Sequence, residues 1–184
     1  VVKSFGGQAI MTSQGHQTGT DRIAEVAQQI NCDIIVNVQG DEPLIQPSTI
    51  ALCAKPLLDN THEVMATLKH KLFLKEEINN PNFVKVIADK NDYAIYFSRY
   101  AIPFARNEIG FQWYKHIGIY AYRKKFLLEY AQMPQTALEK SESLEQLRVI
   151  ENGYRIKILE TEDMPAGIDT EEDLKKVQTI MERK

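Results

Sequence analysis

Two adjacent carboxylates, Asp41 and Glu42, follow directly on an apolar run and are well placed for chemistry. The run covers 34–38, and a nearly continuous apolar stretch of this length is typical of a parallel strand buried on both faces. We therefore expect Asp41 at the carboxyl edge of a parallel sheet, where open α/β sheets bind their ligands. Two interpretations remain open: a turn in which the Asp bonds its own backbone, or a carboxylate that binds Mg²⁺.

Asp169 is a second candidate carboxylate, and it stands immediately before a capping-box pattern formed by Thr170 and Asp173. A carboxylate in this place can simply complement the helix dipole. Because Glu171, Glu172 and Asp173 already supply negative charge there, we favour a role for Asp169 toward a ligand. A second carboxylate of this kind strengthens the metal-binding interpretation of the first pair.

The segment Thr18–Arg22 contains small residues ahead of a helix for which Thr20 or Asp21 is the expected N-cap. Such a turn can bring backbone N–H groups close to an anion or the edge of a base. Arg22 falls in the first helical turn, where a cation opposes the helix dipole. We interpret this mismatch as a ligand contact, and a solvated side chain is the alternative.

The strand expected at 115–122 alternates between an apolar and a polar face. The apolar face carries Ile117, Ile119 and Ala121, and the polar face carries His116, Gly118, Tyr120 and Tyr122. A glycine between a histidine and a tyrosine is typical of the wall of a sugar-sized pocket. The alternative is that His116 is an ordinary hydrogen-bonded side chain.

Two further segments carry polar groups suited to binding. Arg99 and Arg106 flank a proline-containing loop and could hold a carboxylate or phosphate with paired hydrogen bonds. In the helix expected at 138–151, burial of the leucines would leave Glu145 and Gln146 facing outward. Glu145 and Arg148 would then form an ordinary surface pair worth a few tenths of a kcal/mol.

The elements that position these residues mix strands and helices. Strands are expected at 8–11, 33–38, 63–69, 84–88, 93–98, 115–122 and 155–160, and helices at 48–56, 124–132, 138–151 and 170–183. A further helix follows the cap at Thr20 or Asp21 and has its apolar positions at 23, 26, 27 and 30. The first two strands with the helix between them predict a right-handed crossover between parallel strands. Residues 89–92 predict a hairpin loop. The pattern indicates an α/β sheet protein with a more antiparallel insertion.

The composition limits the class of protein. The chain has 184 residues, a formal net charge of −3 and 43% hydrophobic residues, which indicates one globular domain and no nucleic-acid partner. No run approaches the roughly 18 apolar residues of a membrane span. Isolated Cys32 and Cys53 favour neither zinc nor disulfides, so we expect a cytoplasmic protein. Residues 1–7 resemble the end of a helix, and we expect that the sequence begins inside a domain.

Taken in order along the chain, six motifs resemble the 3-deoxy-manno-octulosonate cytidylyltransferase (CMP-KDO synthetase) family. They are Thr18–Arg22, Val36–Ile45, Tyr96–Arg99 with Ile102–Pro103, His116–Tyr120, Leu144–Arg148 and Gly167–Thr170. The resemblance implies a Rossmann-like nucleotide-diphospho-sugar transferase fold, a mixed sheet with helices on both faces. Residues 1–184 would form a single domain, with an inserted region at about 62–130 for dimerisation and sugar binding.

The resemblance also implies a reaction and a set of site residues. A homodimer would use Mg²⁺ to transfer CMP from CTP to 3-deoxy-D-manno-octulosonate (KDO), releasing pyrophosphate, for lipopolysaccharide synthesis in the cytoplasm. Asp41 and Asp169 would be the catalytic, metal-binding pair, and Gly19, Thr20, Arg22 and Gln39 would bind the nucleotide. Gln39, Arg99, Arg106, His116, Tyr120, Glu145 and Gln146 would bind the sugar acid, with Arg106 on its carboxylate.

The start of the chain departs from the family pattern. Family members open with a strand and a loop containing Arg, Ser, Thr, Pro, Gly and Lys that wraps the triphosphate, and we expect this strand and loop to be missing here. Three hypotheses remain open: a KDO cytidylyltransferase whose recorded sequence begins late, a truncated chain that folds and dimerises without turnover, or a cytidylyltransferase for another sugar acid such as an acylneuraminate.

Overall fold

A mixed sheet of six strands forms the centre of the computed structural model, which describes residues 1–16, 18–107, 110–164, 167–168 and 170–182. The strands are β1 (Ile34–Asn37), β2 (Met65–Leu72), β3 (Lys85–Ala88), β4 (Ala94–Ser98), β5 (Trp113–Arg123) and β6 (Lys157–Glu160). Their order is β4-β3-β5-β2-β6, and β1 pairs with the last residues of β5. Among these strands, β2 and β6 run parallel and the other pairs are antiparallel.

Helices cover both faces of this sheet. A 3-10 helix spans Val2–Phe5, and the α-helices are α1 (Gly19–Gln29), α2 (Pro47–Asp59), α3 (Lys75–Asn79), α4 (Lys124–Tyr130), α5 (Ala137–Glu142), α6 (Gln146–Glu151) and α7 (Glu171–Met181). On one face, Cys53 and Leu57 of α2 pack against the apolar residues of β5. On the other, Ala24 of α1, Leu127 of α4 and Leu147 of α6 share a second core cluster. This arrangement confirms the expected α/β class.

Strand β5 shows the predicted alternation of its side chains. Ile117, Ile119 and Ala121 are fully buried in the core against α2. The register with β2 shifts after Thr67, so that Gly118 and Ile119 form a bulge in β5. The Thr67 hydroxyl lies 3.1 Å from the Ile117 carbonyl oxygen and 2.7 Å from that of Ile119. A side chain therefore satisfies carbonyl groups at the point where the bulge interrupts the ladder.

The first part of the chain differs from the expectation. Residues 8–11 form no strand, and the described part of the chain places no pairing partner beside them. The expected parallel crossover is therefore wrong, because residues 8–11 do not pair with β1, and the strand that does pair with β1 is the antiparallel β5. Asp41 follows β1 as predicted, but not at the edge of a parallel pair. An apolar run indicates a strand, whereas its direction depends on a partner far away in the sequence.

Several helix boundaries also differ. Thr18, and not Thr20 or Asp21, is the N-cap of α1, and it forms a capping box with Asp21. Helix α2 continues for three residues beyond Pro56, to Asp59. The helix expected at 138–151 is two helices, since Ser143 adopts a left-handed conformation with φ of 54°.

The break at Ser143 changes the partner of Arg148. This side chain forms an ion pair with Glu139, and the two side chains are only 3% and 4% exposed. Its Nε atom donates to the Glu139 carboxylate at 2.7 Å, and its Nη1 atom donates to the Met133 carbonyl oxygen at 3.2 Å. The expected surface pair with Glu145 is therefore wrong. The buried pair joins α5 to α6 and holds the turn between them.

We predict that Arg148→Met lowers the free energy of unfolding by about 3–5 kcal/mol, because the Glu139 carboxylate stays buried without its cation. Urea unfolding measures the change. Lys55→Met is the matched control, since Lys55 pairs with Asp59 at side-chain exposures of 59% and 60%. An exposed pair of this kind contributes only about 0–1 kcal/mol. Equal losses in the two variants would contradict the prediction.

Candidate active site

A cavity of about 390 Å³ lies beside the end of β1, the N-terminus of α1 and the polar face of β5. The predicted site residues that line it are Gly19, Thr20, Gln39, Asp41, His116, Tyr120, Glu145 and Gln146. Other lining residues include Asn37, Glu42, Gly118, Tyr122, Tyr130 and Ser143. Residues that are far apart in the sequence therefore meet in one cavity.

The turn after β1 presents two carboxylates to the cavity. The Glu42 backbone N–H donates to the Gln39 carbonyl oxygen at 3.3 Å, which closes a tight turn around Asp41. The Asp41 side chain is exposed, and the Asp41 carbonyl oxygen accepts a hydrogen bond from the Ile168 N–H at 2.9 Å. Asp169 lies outside the described residues. The described residue that precedes it is thus tied directly to Asp41.

The N-terminus of α1 meets the turn between α5 and α6. The Thr20 hydroxyl donates to a carboxylate oxygen of Glu145 at 2.6 Å, and the Tyr130 hydroxyl donates to the Glu145 carbonyl oxygen at 2.6 Å. One predicted nucleotide-binding residue therefore contacts one predicted sugar-binding residue. This hydrogen bond joins the predicted nucleotide side of the site to the predicted sugar side.

Gln146 faces into the cavity and not outward, because the break at Ser143 reorients α6. Only 4% of Gln146 is exposed. Its Nε2 group finds no hydrogen-bond acceptor among the described residues. A buried amide donor without a partner is costly, so this group is available to a ligand.

His116 is held as a neutral ring. Only 7% of it is exposed, and its Nε2 atom lies 2.9 Å from the Thr67 hydroxyl oxygen. Because that hydroxyl donates to the Ile119 carbonyl oxygen, Nε2–H must donate to the hydroxyl oxygen, which leaves Nδ1 as an acceptor. Burial lowers the pKa of His116 to about 3, and Lys115 adds to the effect. The ring therefore stays neutral at physiological pH.

The rings of His116, Tyr120 and Tyr122 on β5 contact one another in sequence. The ring centroids of His116 and Tyr120 are 5.3 Å apart, and those of Tyr120 and Tyr122 are 5.9 Å apart. Burial raises the pKa of both tyrosines, so their hydroxyl groups remain protonated. Gly118 carries no side chain on this face of β5, which leaves a gap in the wall of the cavity beside these rings.

Glu42 occupies the space opposite this gap. Burial raises the pKa of the Glu42 carboxyl, and the neighbouring Asp41 raises it further. Its Oε2 atom is buried and accepts no hydrogen bond from a described residue. The sequence drew attention to Glu42 only as the neighbour of Asp41, and nothing in the local pattern revealed its burial.

The charges of the cavity are unusual for a site with anionic ligands. Asp41, Glu42 and Glu145 supply carboxylates, whereas its described lining contains no Lys or Arg. Since His116 is neutral, the cavity itself is acidic. Anionic groups need a metal ion or cations from neighbouring segments to bind here.

The predicted arginines lie outside this lining. Arg22 donates to the Thr12 hydroxyl at 3.0 Å and to the Ser13 carbonyl oxygen at 3.2 Å. Arg99 donates through its side chain to the carbonyl oxygens of Glu142 and Pro81. The guanidinium of Arg106 is exposed and bonds no described residue. Their roles in binding stay predictions.

The described residues contain no cluster of three or more His, Cys, Asp or Glu side chains that could hold a metal ion. Mg²⁺ does not require such a cluster, because it commonly binds one or two carboxylates together with water and substrate phosphates. The exposed carboxylate of Asp41 fits that pattern.

We predict that lowering the pH destabilises the wild-type chain more than His116→Gln. The ordinary pKa of 6.5 applies in the unfolded chain, whereas the folded value is about 3. Between pH 6.5 and pH 3 the unfolded chain binds a proton on His116 and the folded chain does not. The contribution of the neutral His116 to the free energy of unfolding is therefore complete above pH 6.5 and is lost as the pH falls. The slope reaches about 1.4 kcal/mol per pH unit.

Urea unfolding at several pH values between 7 and 4 checks this expectation. The exposed His62 provides the control His62→Gln, which should keep the wild-type dependence on pH. Parallel curves for His116→Gln and the wild type would show that the ring is not kept neutral by burial.

Comparisons with known proteins place the chain in a family. A sequence profile described as "Cytidylyltransferase" matches residues 1–158. The 3-deoxy-manno-octulosonate cytidylyltransferase of Fusobacterium nucleatum is 56% identical over 177 residues, which cover 96% of this chain and 72% of that protein. The protein of the same name from Trichlorobacter lovleyi is 48% identical over 198 residues, covering 100% of this chain and 77% of its own length.

The fold comparison agrees with these relatives. The solved structure of CMP:2-keto-3-deoxy-manno-octonic acid synthetase complexed with CTP matches with a TM-score of 0.94 at 40% identity, covering 99% of this chain and 75% of that one. In the described part of the chain, no helix has the length and apolar character needed to span a membrane. The chain belongs to the cytidylyltransferase family, and within it to the 3-deoxy-manno-octulosonate cytidylyltransferases, which are nucleotidyltransferases.

Proposed function

We propose that this protein transfers CMP from CTP to KDO, giving CMP-KDO and pyrophosphate for lipopolysaccharide synthesis in the cytoplasm. The observation that carries the proposal is the single cavity shared by residues of the nucleotide-side motif, the Asp41 turn, β5 and the α5–α6 turn. The family motifs imply that these residues bind the two substrates. The relative that shares this fold was solved with CTP.

The nucleotide side is formed by Gly19 and Thr20 at the start of α1 and by Gln39 after β1. Nothing described lies within 4 Å of the place where a Cβ on Gly19 would sit, so a ligand can approach the backbone there. Helix N-termini offer N–H groups to anions and to polar base edges. Arg22 holds the loop before α1 through its bonds to Thr12 and Ser13.

The sugar side is formed by the polar face of β5 and by the start of α6. His116 Nδ1 accepts from a hydroxyl, the Tyr120 hydroxyl donates, and Gln146 Nε2 donates to a sugar oxygen. Arg106 binds the carboxylate of KDO, since its guanidinium is exposed and unbonded among the described residues. Arg99 supports the same loop by its bonds to Glu142 and Pro81.

Asp41 and Asp169 would hold Mg²⁺. The hydrogen bond from Ile168 to Asp41 supports their pairing. Bound Mg²⁺ would supply charge neutralisation at the α-phosphate and favour ionisation of the attacking hydroxyl. Carboxylate oxygens are the hard ligands that this ion prefers.

The residues of the chain then act mainly by positioning. The anomeric hydroxyl of KDO forms a bond to the α-phosphorus, the bond to pyrophosphate breaks, and the hydroxyl proton passes to water. Hydrogen bonds from the nucleotide and sugar sides keep the attacking and leaving oxygens in line. Positioning and electrostatic stabilisation account for most of the catalysis in phosphoryl-type transfer, so no side-chain base is required.

We predict that Asp41→Asn lowers the rate of pyrophosphate release from CTP, KDO and Mg²⁺ by about 100-fold or more, because a charged ligand at the reacting centre is lost. The melting temperature should stay near the wild-type value, since the side chain is exposed. Asp59→Asn is the control and should keep full activity, because its carboxylate pairs with Lys55 on the surface of α2.

The same assay decides between the hypotheses for the whole chain. Faster release with KDO than with N-acetylneuraminate supports KDO as the substrate, and the reverse preference would identify another sugar acid. A wild-type preparation with an intact mass of 21.1 kDa and no release would contradict an active enzyme. That result would favour a chain that folds and binds without turnover.

We further propose that the protein is a homodimer formed through the inserted region. An apolar groove of about 380 Å³ lies between the end of β2, α3 and the start of β5. Phe73 and Leu74 are 73% and 56% exposed beside it. The buried Nε1 group of Trp113 has no acceptor among the described residues, which supports a partner that supplies one.

We predict that Leu74→Glu shifts the sedimentation coefficient from that of a dimer to that of a monomer, because a charge would be buried in the contact. Leu58→Glu is the control, since Leu58 is 68% exposed on α2, away from the groove. A monomeric wild type, or a dimer that survives the change at Leu74, would contradict the proposed interface.

A further inference from the structure

The Glu42 carboxylate faces the gap that Gly118 leaves in the wall of the cavity. A Cβ at position 118 would lie 4.0 Å from Glu42 Oε1, and, apart from the chain neighbours of Gly118, no other described residue comes within this distance. The glycine therefore leaves this carboxylate open to the cavity. An alanine would fit without a clash and would cover it.

Glu42 also lacks a partner inside the protein. Its Oε2 atom is buried, and no described residue donates to it. Buried polar atoms nearly always have a hydrogen-bond partner, and a buried carboxylate oxygen is among the most costly to leave without one. The burial of Glu42 is thus not explained by the folded chain alone.

Gln146 provides the complementary group. Its Nε2 donor lines the same cavity, is buried and has no acceptor among the described residues. A phosphate or carboxylate oxygen can accept from Gln146 but cannot donate to Glu42. A hydroxyl group can do both, so a ligand with several hydroxyl groups would satisfy the two residues together.

The charge of the cavity also favours the hydroxylated part of a ligand over its anionic groups. Asp41, Glu42 and Glu145 repel anionic groups, and the described lining has no Lys or Arg. Lys115, outside the lining, offsets only part of the charge near Glu42. A neutral chain of hydroxylated carbons experiences no such repulsion. Glu42 faces Gly118, which lies on the same face of β5 as the proposed sugar-side residues His116 and Tyr120. This position favours the sugar acid over the nucleotide, whose proposed contacts lie at α1.

We propose that Glu42 determines specificity for the sugar acid by accepting a hydrogen bond from one of its hydroxyl groups. This role rests on the proposed function and is separate from metal binding by Asp41. Glu42 reads a hydroxyl at a fixed place and rejects sugar acids that lack it. Gly118 keeps the carboxylate accessible.

Calorimetric titration of the 184-residue chain with KDO tests the proposal. Glu42→Gln should weaken KDO binding by about 10- to 100-fold, because a hydrogen bond to a charged acceptor is lost. Affinities for CTP and for Mg²⁺ in the presence of CTP should not change. The exposed Glu76 on α3 gives the control Glu76→Gln, which should bind KDO as the wild type does.

Two further measurements exclude a purely structural effect. Gly118→Ala should also weaken KDO binding while the melting temperature stays near that of the wild type. The second measurement uses KDO analogues that each lack one ring hydroxyl. One of these analogues should bind the wild type about 10-fold or more less tightly than KDO does. Glu42→Gln should bind the same analogue as tightly as it binds KDO. That pairing would identify the hydroxyl that Glu42 accepts.

The outcomes distinguish an error in the role of Glu42 from an error in the proposed function. If the wild type binds KDO and Glu42→Gln binds it equally well, the role of Glu42 is overturned and the proposed function stays intact. A loss of CTP or Mg²⁺ affinity in Glu42→Gln, with KDO binding retained, would assign Glu42 to the nucleotide or the metal. No binding of KDO by the wild type would overturn the proposed function itself.

Discussion

The position of strand β5 is the constraint on which the rest of the structure depends. It pairs with β2 along its length, with β3 near its start and with β1 near its end. Successive side chains point to opposite faces, so one face completes the core against α2 while the other forms a wall of the cavity. The core therefore fixes the direction of His116 and Tyr120 without any contribution from a ligand.

The opposite side of the cavity is fixed by a different kind of interaction. The buried Arg148–Glu139 pair joins α5 to α6, and the intervening Ser143 turns the chain so that Glu145 and Gln146 face inward. Thr20 then bonds Glu145 across the cavity. Strand β5 and the turn between α5 and α6 thus face each other, and both are fixed by contacts within the chain. This is the preorganisation that in-line binding of two substrates requires.

The distribution of charge explains why the cationic residues stand apart from the cavity. In the proposed function two anionic substrates meet close to Asp41. A lining rich in carboxylates allows this only where the parts of the substrates that face it are neutral or where a metal ion intervenes. Arg22 and Arg106 are exposed and lie outside the lining. Their charges can attract the anionic ends of the substrates without neutralising the cavity itself.

Local patterns predicted much of this arrangement, and distant contacts account for the rest. The alternation in β5 and the hairpin at 89–92 follow from short-range signals, whereas several residues of the cavity, Gln39 among them, were predicted only through the resemblance of the motifs to a family. The antiparallel pairing of β1 and the partner of Arg148 do not, because each depends on residues brought together only by folding. The burial of Gln146 likewise depends on the left-handed Ser143, and a serine gives no local sign of that conformation.

The alternation of faces along β5 limits how the length of the chain can vary, and the bulge at Gly118 and Ile119 preserves it because it adds two residues. Adding or deleting one residue between His116 and Tyr122 would exchange the two faces of β5, placing aromatic polar groups in the core and aliphatic groups in the cavity. The length of the segment before β5 has no such requirement, because it determines neither face. Homologous chains should therefore differ in length before Trp113 and keep a constant spacing after it.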